Sequence, residues 1–201
     1  MEMEWIDLAL LWIKDAWLRS LIEQVWLRLP ASDQHVLEDR LLDITVHDVG
    51  IDDTDQPLAS VWNPDPDGTI NGWQAGVAEN LHPVVDLSRA KNIASDEVCI
   101  FVIAHEFAHV VLRHNEMALV VENLTRFKGE PYYTDDDMDS LKQWQEEEAN
   151  LQAWLWGFKE EMRAFYELYP SAPRPRWDVW IEWEQHGTRH KEQASGHTTP
   201  R

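Results

Sequence analysis

The sequence has one cysteine, few basic residues and no long apolar run, and each shortage excludes a class of protein. Because Cys99 is the single cysteine, an intramolecular disulfide framework is excluded and a reducing compartment is favoured. The most apolar stretch near the N-terminus, Leu8–Ile13, has six residues, whereas a membrane-spanning helix needs about 20. Residues Met1–Glu4 are acidic where a secretory signal would be basic. These features predict a soluble, cytoplasmic protein.

The shortage of basic residues restricts the partners. Only 17 basic residues stand against 37 acidic ones, which gives a formal net charge of -20. Such a surface repels phosphate backbones and anionic headgroups, so nucleic acid and bare membrane are not expected as partners. A protein or peptide substrate with a basic segment fits better, although solubility alone also accounts for the charge. Composition leaves the oligomeric state open.

What the chain does contain is enough apolar material for a core, since 44% of its 201 residues are hydrophobic. We predict a single domain over residues 1–186 and a disordered polar tail over 187–201. The fold class is α+β, with an N-terminal helix, a small and mostly antiparallel sheet, and helices from residue 95 onward. The predicted helices cover 5–28, 95–114, 116–127, 134–169 and 177–186, and the predicted strands cover 42–47, 58–62, 69–78 and 84–87.

The most informative stretch contains the pattern H-E-x-x-H, formed by His105, Glu106 and His109. On a helix, two histidines four residues apart share a face, so both imidazoles can reach one zinc ion at ~2.0–2.1 Å. Glu106 lies about 100° further round and can take a proton from water without binding the metal. Zinc lowers the pKa of water and polarises a carbonyl, and the carboxylate carries the proton to the leaving amine. The alternative is a pair of core histidines satisfied by ordinary hydrogen bonds.

A catalytic zinc site needs a third protein ligand. The metzincin pattern would require His at position 115 and Gly at position 112, and the chain has Asn115 and Leu112, which excludes that class. His114 would lie about 180° from His105 around a continuous helix, so it is not expected to share the metal.

Three successive glutamates, 146 to 148, are the remaining candidates for the third ligand. Glu146 shares a helix face with small residues, which would let this helix approach the H-E-x-x-H helix closely. We therefore predict Glu146 as the ligand, with Glu148 as the alternative. Asn150, one turn further on, is predicted to hydrogen-bond a ligand histidine. The competing interpretation of the triplet is a solvated acidic face.

The paired pattern His105-Glu106-x-x-His109 and Glu146-x-x-Ala149-Asn150-x-x-Ala153 resembles the gluzincin-type zinc metallopeptidases, and within them the small ImmA/IrrE-like, minigluzincin-like proteins. The resemblance covers about residues 80–160. It implies a zincin-like fold in which an N-terminal helix and a three-stranded sheet precede the H-E-x-x-H helix and a Glu-bearing helix. It also implies that the strand at 84–87 lines the cleft and pairs with extended substrate. The gap between the two motifs is longer than in the smallest members, and no helix-turn-helix segment accompanies them.

The sequence thus predicts a zinc metalloendopeptidase that cleaves a protein substrate, with Zn²⁺ as its cofactor. The alternative is a zinc-binding regulatory or interaction protein with a zincin fold and no measurable proteolysis. Residues 63–74 resemble the start of a calcium loop, but Gln74 replaces the required Glu, so we interpret them as a turn between strands. Tyr132 and Tyr133 are candidate donors to the developing oxyanion, with packing as the competing interpretation.

Overall fold

The computed structural model confirms an α+β fold that contains a three-stranded mixed sheet. The chain divides into two compact units, Met1–Leu168 and Tyr169–Arg201, and all elements named below lie in the first. The described residues are 5–41, 43–46, 58–62, 83–90, 93, 95–116 and 134–172. Outside them lie the predicted strand 69–78, residues 117–127 of the predicted helix 116–127, the predicted helix 177–186, the 63–74 turn, Tyr132, Tyr133 and the 187–201 tail, which stay predictions.

Helices and strands follow one another in an order close to the predicted one. In chain order they are α1 (Trp5–Ala9), α2 (Ala16–Arg28), α3 (Ala31–Arg40), β1 (Asp43–Thr45), β2 (Ser60–Trp62), β3 (Val84–Asp86), α4 (Asp96–Val111), α5 (Asp135–Leu155) and α6 (Lys159–Leu168).

The N-terminal segment forms two helices, α1 and α2, and the predicted single helix over 5–28 is wrong. The Asp15 carboxylate accepts hydrogen bonds from the backbone N–H groups of Trp17 at 2.9 Å and Leu18 at 3.1 Å. An aspartate that satisfies the first N–H groups in this way caps a new helix. The apolar periodicity runs through Asp15, which is why it suggested one continuous helix.

The sheet has the order β1-β3-β2, so β3 is its central strand. It pairs parallel with β1 and antiparallel with β2, with Val85 opposite both Ile44 and Val61. The predicted mostly antiparallel sheet is therefore a mixed one. Alternating side chains mark a strand in either direction, and a long stretch of chain separates β1 from β3, so the direction of pairing was not readable from the sequence.

The central position of β3 contradicts the expectation that this strand pairs with an extended substrate. Both edges of Val84–Asp86 are already paired, one with β1 and the other with β2. A peptide adds as a strand only to an unpaired edge, so the expectation that the strand at 84–87 pairs with substrate is wrong. Among the described strands, β1 and β2 are the outer ones.

Helix α4 crosses the core and carries the H-E-x-x-H pattern. It contacts α2, α3, α5, α6 and β2, and its apolar side chains are nearly all buried. Ser95 is the N-cap residue, but its hydroxyl donates to Glu97 at 2.5 Å and makes no bond to the helix backbone. Cys99 is fully buried, and burial raises the pKa of its thiol to about 12, which makes it an unreactive core residue. The helix ends at Val111, earlier than the predicted end near His114.

Helix α5 begins with a capping box at Thr134, the residue where the sequence predicted a helix to start. The Thr134 hydroxyl accepts from the backbone N–H of Asp137 at 3.2 Å, and the Asp137 carboxylate accepts from the backbone N–H of Thr134 at 2.9 Å. The helix packs on α4 through its small residues, since Ala149 and Ala153 are fully buried. Its Trp144, by contrast, is exposed.

A glycine separates α5 from α6, so the predicted single helix over 134–169 is wrong. Gly157 has φ 94°, its N–H donates to the Trp154 carbonyl at 2.9 Å, and the N–H of Phe158 donates to the Ala153 carbonyl at 3.1 Å. These two bonds form the motif in which a left-handed residue ends a helix. The break turns the chain back so that α6 packs on α4.

We expect Gly157→Ala to lower the free energy of unfolding by about 1–2 kcal/mol, the cost of a left-handed conformation for a residue with a Cβ. An added Cβ would meet no atom within 4 Å, so the loss would come from the backbone conformation alone. Urea denaturation measures it. Gly157→Asn is the matched control and should lose less, because asparagine tolerates this conformation. Equal stability of wild type and Gly157→Ala would contradict the explanation.

Candidate metal centre

His105 and His109 lie one turn apart on α4 and direct their rings to the same place. Their Nε2 atoms are 2.9 Å apart and their ring centroids 4.6 Å. The two side chains are 13% and 12% exposed. Because α4 is held on several sides by other elements, the helical spacing of four residues becomes a fixed separation of two nitrogen atoms.

Helix α5 brings the Glu146 carboxylate to the same place. Its Oε2 lies 3.1 Å from Nε2 of His105, and its Oε1 lies 3.5 Å from Nε2 of His109. The close approach of α5 to α4 depends on the buried small side chains of Ala149 and Ala153. The three side chains form a group of potential metal ligands, with ligand atoms all within 4.8 Å of one another.

The three ligand atoms fit a zinc ion. Tetrahedral bonds of ~2.0–2.1 Å require ligand atoms about 3.3 Å apart. The observed separations are 2.9, 3.1 and 3.5 Å. Two imidazoles and one glutamate are also a donor set of catalytic zinc sites, which keep one position open. The side chain of Glu146 is 58% exposed, so this side of the group is accessible from solvent.

Glu148, the alternative ligand, points to a different partner. Its Oε2 lies 3.2 Å from Nε2 of His114. The geometry therefore supports Glu146 over Glu148 as the third ligand. Glu147 is not a candidate for the third ligand, because its carboxylate accepts a hydrogen bond from the Gln143 side-chain amide at 3.4 Å.

Asn150 lies beside His105, one turn along α5 from Glu146. Its Oδ1 is 3.0 Å from Nδ1 of His105, so the ring N–H can donate to the amide oxygen. The amide nitrogen of Asn150 in turn donates to the Tyr166 hydroxyl at 3.4 Å. Sequence reasoning missed Tyr166, because the break at Gly157 brings it back to the site.

His114 is the second residue that sequence reasoning missed. Its Nδ1 lies 2.9 Å from Nδ1 of His109, on the side of that ring away from Glu146. The argument that His114 faces away from the site assumed a continuous helix, but α4 ends at Val111 and Arg113 adopts φ 62°. The contact follows from the early end of α4. Nothing in the sequence signals that end, because the apolar pattern continues past Val111 to Leu112.

Glu106 is buried on α4, with 7% of its surface exposed. Burial raises the pKa of its carboxyl to about 7, and the charge of Glu146 adds to that rise, while nearby His105 opposes it. A carboxyl with a pKa near neutrality can both accept and release a proton at physiological pH.

The pKa values of Glu146, His109 and His105 are shifted in different directions by burial and by one another. Burial alone would raise the pKa of Glu146, but the hydrogen bond from His105 and the neighbouring imidazoles lower it to about 2. Burial, together with the charge of His105, lowers the pKa of His109 to about 3. Burial opposes a proton on His105, but its hydrogen bonds and the nearby carboxylate charges together outweigh burial and raise the pKa of that imidazole. An ionised Glu146 and a neutral His109 are the states in which both can bind a cation.

Comparisons with known proteins found no relative of this chain. No protein-family model, curated protein or solved structure matches the chain. Over the part of the chain that the structure describes, no helix has the length and apolar character needed to cross a membrane.

Proposed function

We propose that this protein is a zinc-dependent metallopeptidase of the gluzincin type, similar to the ImmA/IrrE-like proteins. One observation carries the proposal. Nε2 of His105, Nε2 of His109 and the Glu146 carboxylate converge to within 3.5 Å of one another, and the buried Glu106 follows His105 directly on the same helix. An ordinary core pair of histidines would not need a carboxylate from another helix at the same place.

His105, His109 and Glu146 would hold the zinc ion, which when bound polarises the scissile carbonyl and makes water more acidic. Glu106 takes the proton from the attacking water and passes it to the leaving nitrogen, so the peptide bond breaks without release of an unstable anion. Its pKa of about 7 suits both steps. Asn150 orients His105 through Nδ1 and is itself held by Tyr166.

We infer that the substrate is a protein segment with basic residues. The chain carries a formal net charge of -20, so a basic segment is attracted and nucleic acid or an anionic membrane is repelled. The same charge predicts that cleavage of a basic peptide slows as salt is added, because salt screens attraction between exposed charges.

The test of this function has two parts. The purified protein is analysed for zinc, and its cleavage of labelled casein and of a mixed peptide library is followed by the appearance of new amino termini. We expect about one zinc per chain and cleavage that a chelator abolishes and added zinc restores. Bound zinc without any cleavage would favour the regulatory alternative, and a protein that stays metal-free under zinc saturation would overturn both.

We expect Asn150→Ala to weaken zinc binding by about 10–100-fold, because His105 loses the hydrogen bond that fixes its ring. Competition with a chromogenic chelator measures the affinity. Tyr166→Phe is the matched control, since it removes the hydroxyl behind Asn150 and leaves the bond to His105 in place. Its loss should be smaller. Unchanged zinc affinity in Asn150→Ala would mean that packing alone orients His105.

A further inference from the structure

His114 has no part in the group of potential ligands, yet it is more completely enclosed than any of them. It is 3% exposed. One ring nitrogen, Nδ1, lies 2.9 Å from Nδ1 of His109, and the other, Nε2, lies 3.2 Å from the Glu148 carboxylate. The three side chains therefore form a connected row that leads from α5 to the far side of a ligand histidine.

The chain makes a costly turn to reach this position. Arg113 adopts φ 62°, a left-handed conformation that costs a non-glycine residue about 1–2 kcal/mol. The turn folds His114 back toward α4 and α5. There Gln145 donates from its side-chain amide to the His114 carbonyl at 3.2 Å, and the Trp144 ring lies 6.0 Å from the imidazole. Such conformations persist where the surroundings hold them in place, and they cluster at functional sites.

Hydrogen-bond rules fix where the hydrogens lie along the row. An ionised carboxylate only accepts, so Nε2 of His114 carries the hydrogen that faces Glu148. In the neutral imidazole Nδ1 of His114 is then an acceptor, and the hydrogen between the two rings belongs to Nδ1 of His109. Nε2 of neutral His109 is left with a lone pair. This is the nitrogen that faces His105 and Glu146.

We propose that His114 is a positioning residue that, held by Glu148, fixes the ring and the tautomer of His109 for metal binding. The inference rests on the proposed zinc site. It gives the two ligand histidines equivalent support, since Nδ1 of His105 faces Asn150 and Nδ1 of His109 faces His114. Partners of this kind orient metal ligands and affect metal affinity without touching the metal.

The experiment compares Glu148→Gln and His114→Phe with the wild type. A glutamine at position 148 keeps the volume but can donate as well as accept, so it no longer selects one tautomer of His114. Phenylalanine at position 114 keeps a ring against Trp144 and removes both nitrogens. Glu147→Gln is the matched control, because it removes the same charge one residue away from the row. Nitrogen NMR of the histidines in metal-free protein reports the tautomer of His109, and chelator competition reports zinc affinity.

We expect wild type and Glu147→Gln to hold His109 in the Nδ1–H tautomer. In Glu148→Gln and His114→Phe this preference should be lost, and zinc affinity should fall by about 10–100-fold. The wild-type tautomer and affinity in both variants would overturn the positioning role and leave the zinc site standing. If the wild type itself binds no zinc, the proposed function fails, and the NMR measurement still decides whether His114 and Glu148 set the tautomer of His109.

Discussion

We expect Glu106→Gln to slow the proposed peptide-bond hydrolysis by about 10²–10⁴-fold, the usual contribution of a positioned proton carrier, and to leave zinc content unchanged. Glu106 is buried on α4 and is not among the three side chains whose ligand atoms converge. Glutamine fills the same volume but cannot take a proton from water or return it to the leaving nitrogen. The measurements are the cleavage rate of a labelled peptide and the zinc content of the same preparation.

Glu97→Gln supplies the control for this substitution. It makes the same chemical change on the same helix, at an exposed position in the first turn, and should cleave at the wild-type rate. Wild-type cleavage by Glu106→Gln would remove Glu106 from the mechanism. Loss of zinc in Glu106→Gln would instead assign it a structural part in the metal site.

Removing the proposed third ligand is expected to have the largest effect on metal binding. Substitution of a residue that only supports a ligand typically weakens metal binding by about 10–100-fold, and we expect Glu146→Ala to weaken zinc binding by more than that. The reason is that its carboxylate lies against both imidazoles, at 3.1 and 3.5 Å, and supplies the negative charge of the donor set. Zinc should then no longer raise the melting temperature of the variant, since stabilisation by a ligand depends on its concentration relative to Kd.

The neighbouring glutamates are the controls for Glu146. Glu147→Ala should bind zinc like the wild type, because its carboxylate faces Gln143. Glu148→Ala should show an intermediate loss, because its carboxylate faces His114 and is outside the group formed by His105, His109 and Glu146. A larger loss in Glu148→Ala than in Glu146→Ala would assign the third ligand to Glu148 and contradict the geometry.

Several features of the fold could be predicted from the sequence, because they depend on residues that are close together along the chain. The apolar run of α4, the polar run that opens α5 at Thr134 and the alternation in β1 each predicted the right kind of element. Two helix boundaries were missed although their signals are local. Asp15 is a good N-cap and Gly157 a good C-terminal signal, but in both places the apolar periodicity continued across the break and was given more weight.

Part of the candidate site could also be predicted from the sequence. The spacing of His105 and His109 on one helix fixes their shared face, and the small residues beside Glu146 suggested which face of α5 meets α4. Because Glu146 shares that small-residue face, the pattern favoured Glu146 over Glu148 as the third ligand. In the structure, the packing of α5 against α4 turns the Glu146 carboxylate to the two imidazoles and the Glu148 carboxylate to His114, a contact that the sequence did not indicate.

By itself, the sequence determined the local chemistry: an apolar helix that presents two imidazoles and a carboxylate in a fixed spacing, and a second helix with a small-residue face beside an acidic run. The tertiary structure alone decided the central place of β3, the contact of Glu148 with His114, and the contact of His114 with His109. The physical reason is that helix periodicity and caps arise from residues a few positions apart. Strand pairing and the meeting of side chains from α4 and α5 depend on distances that no short stretch of sequence records.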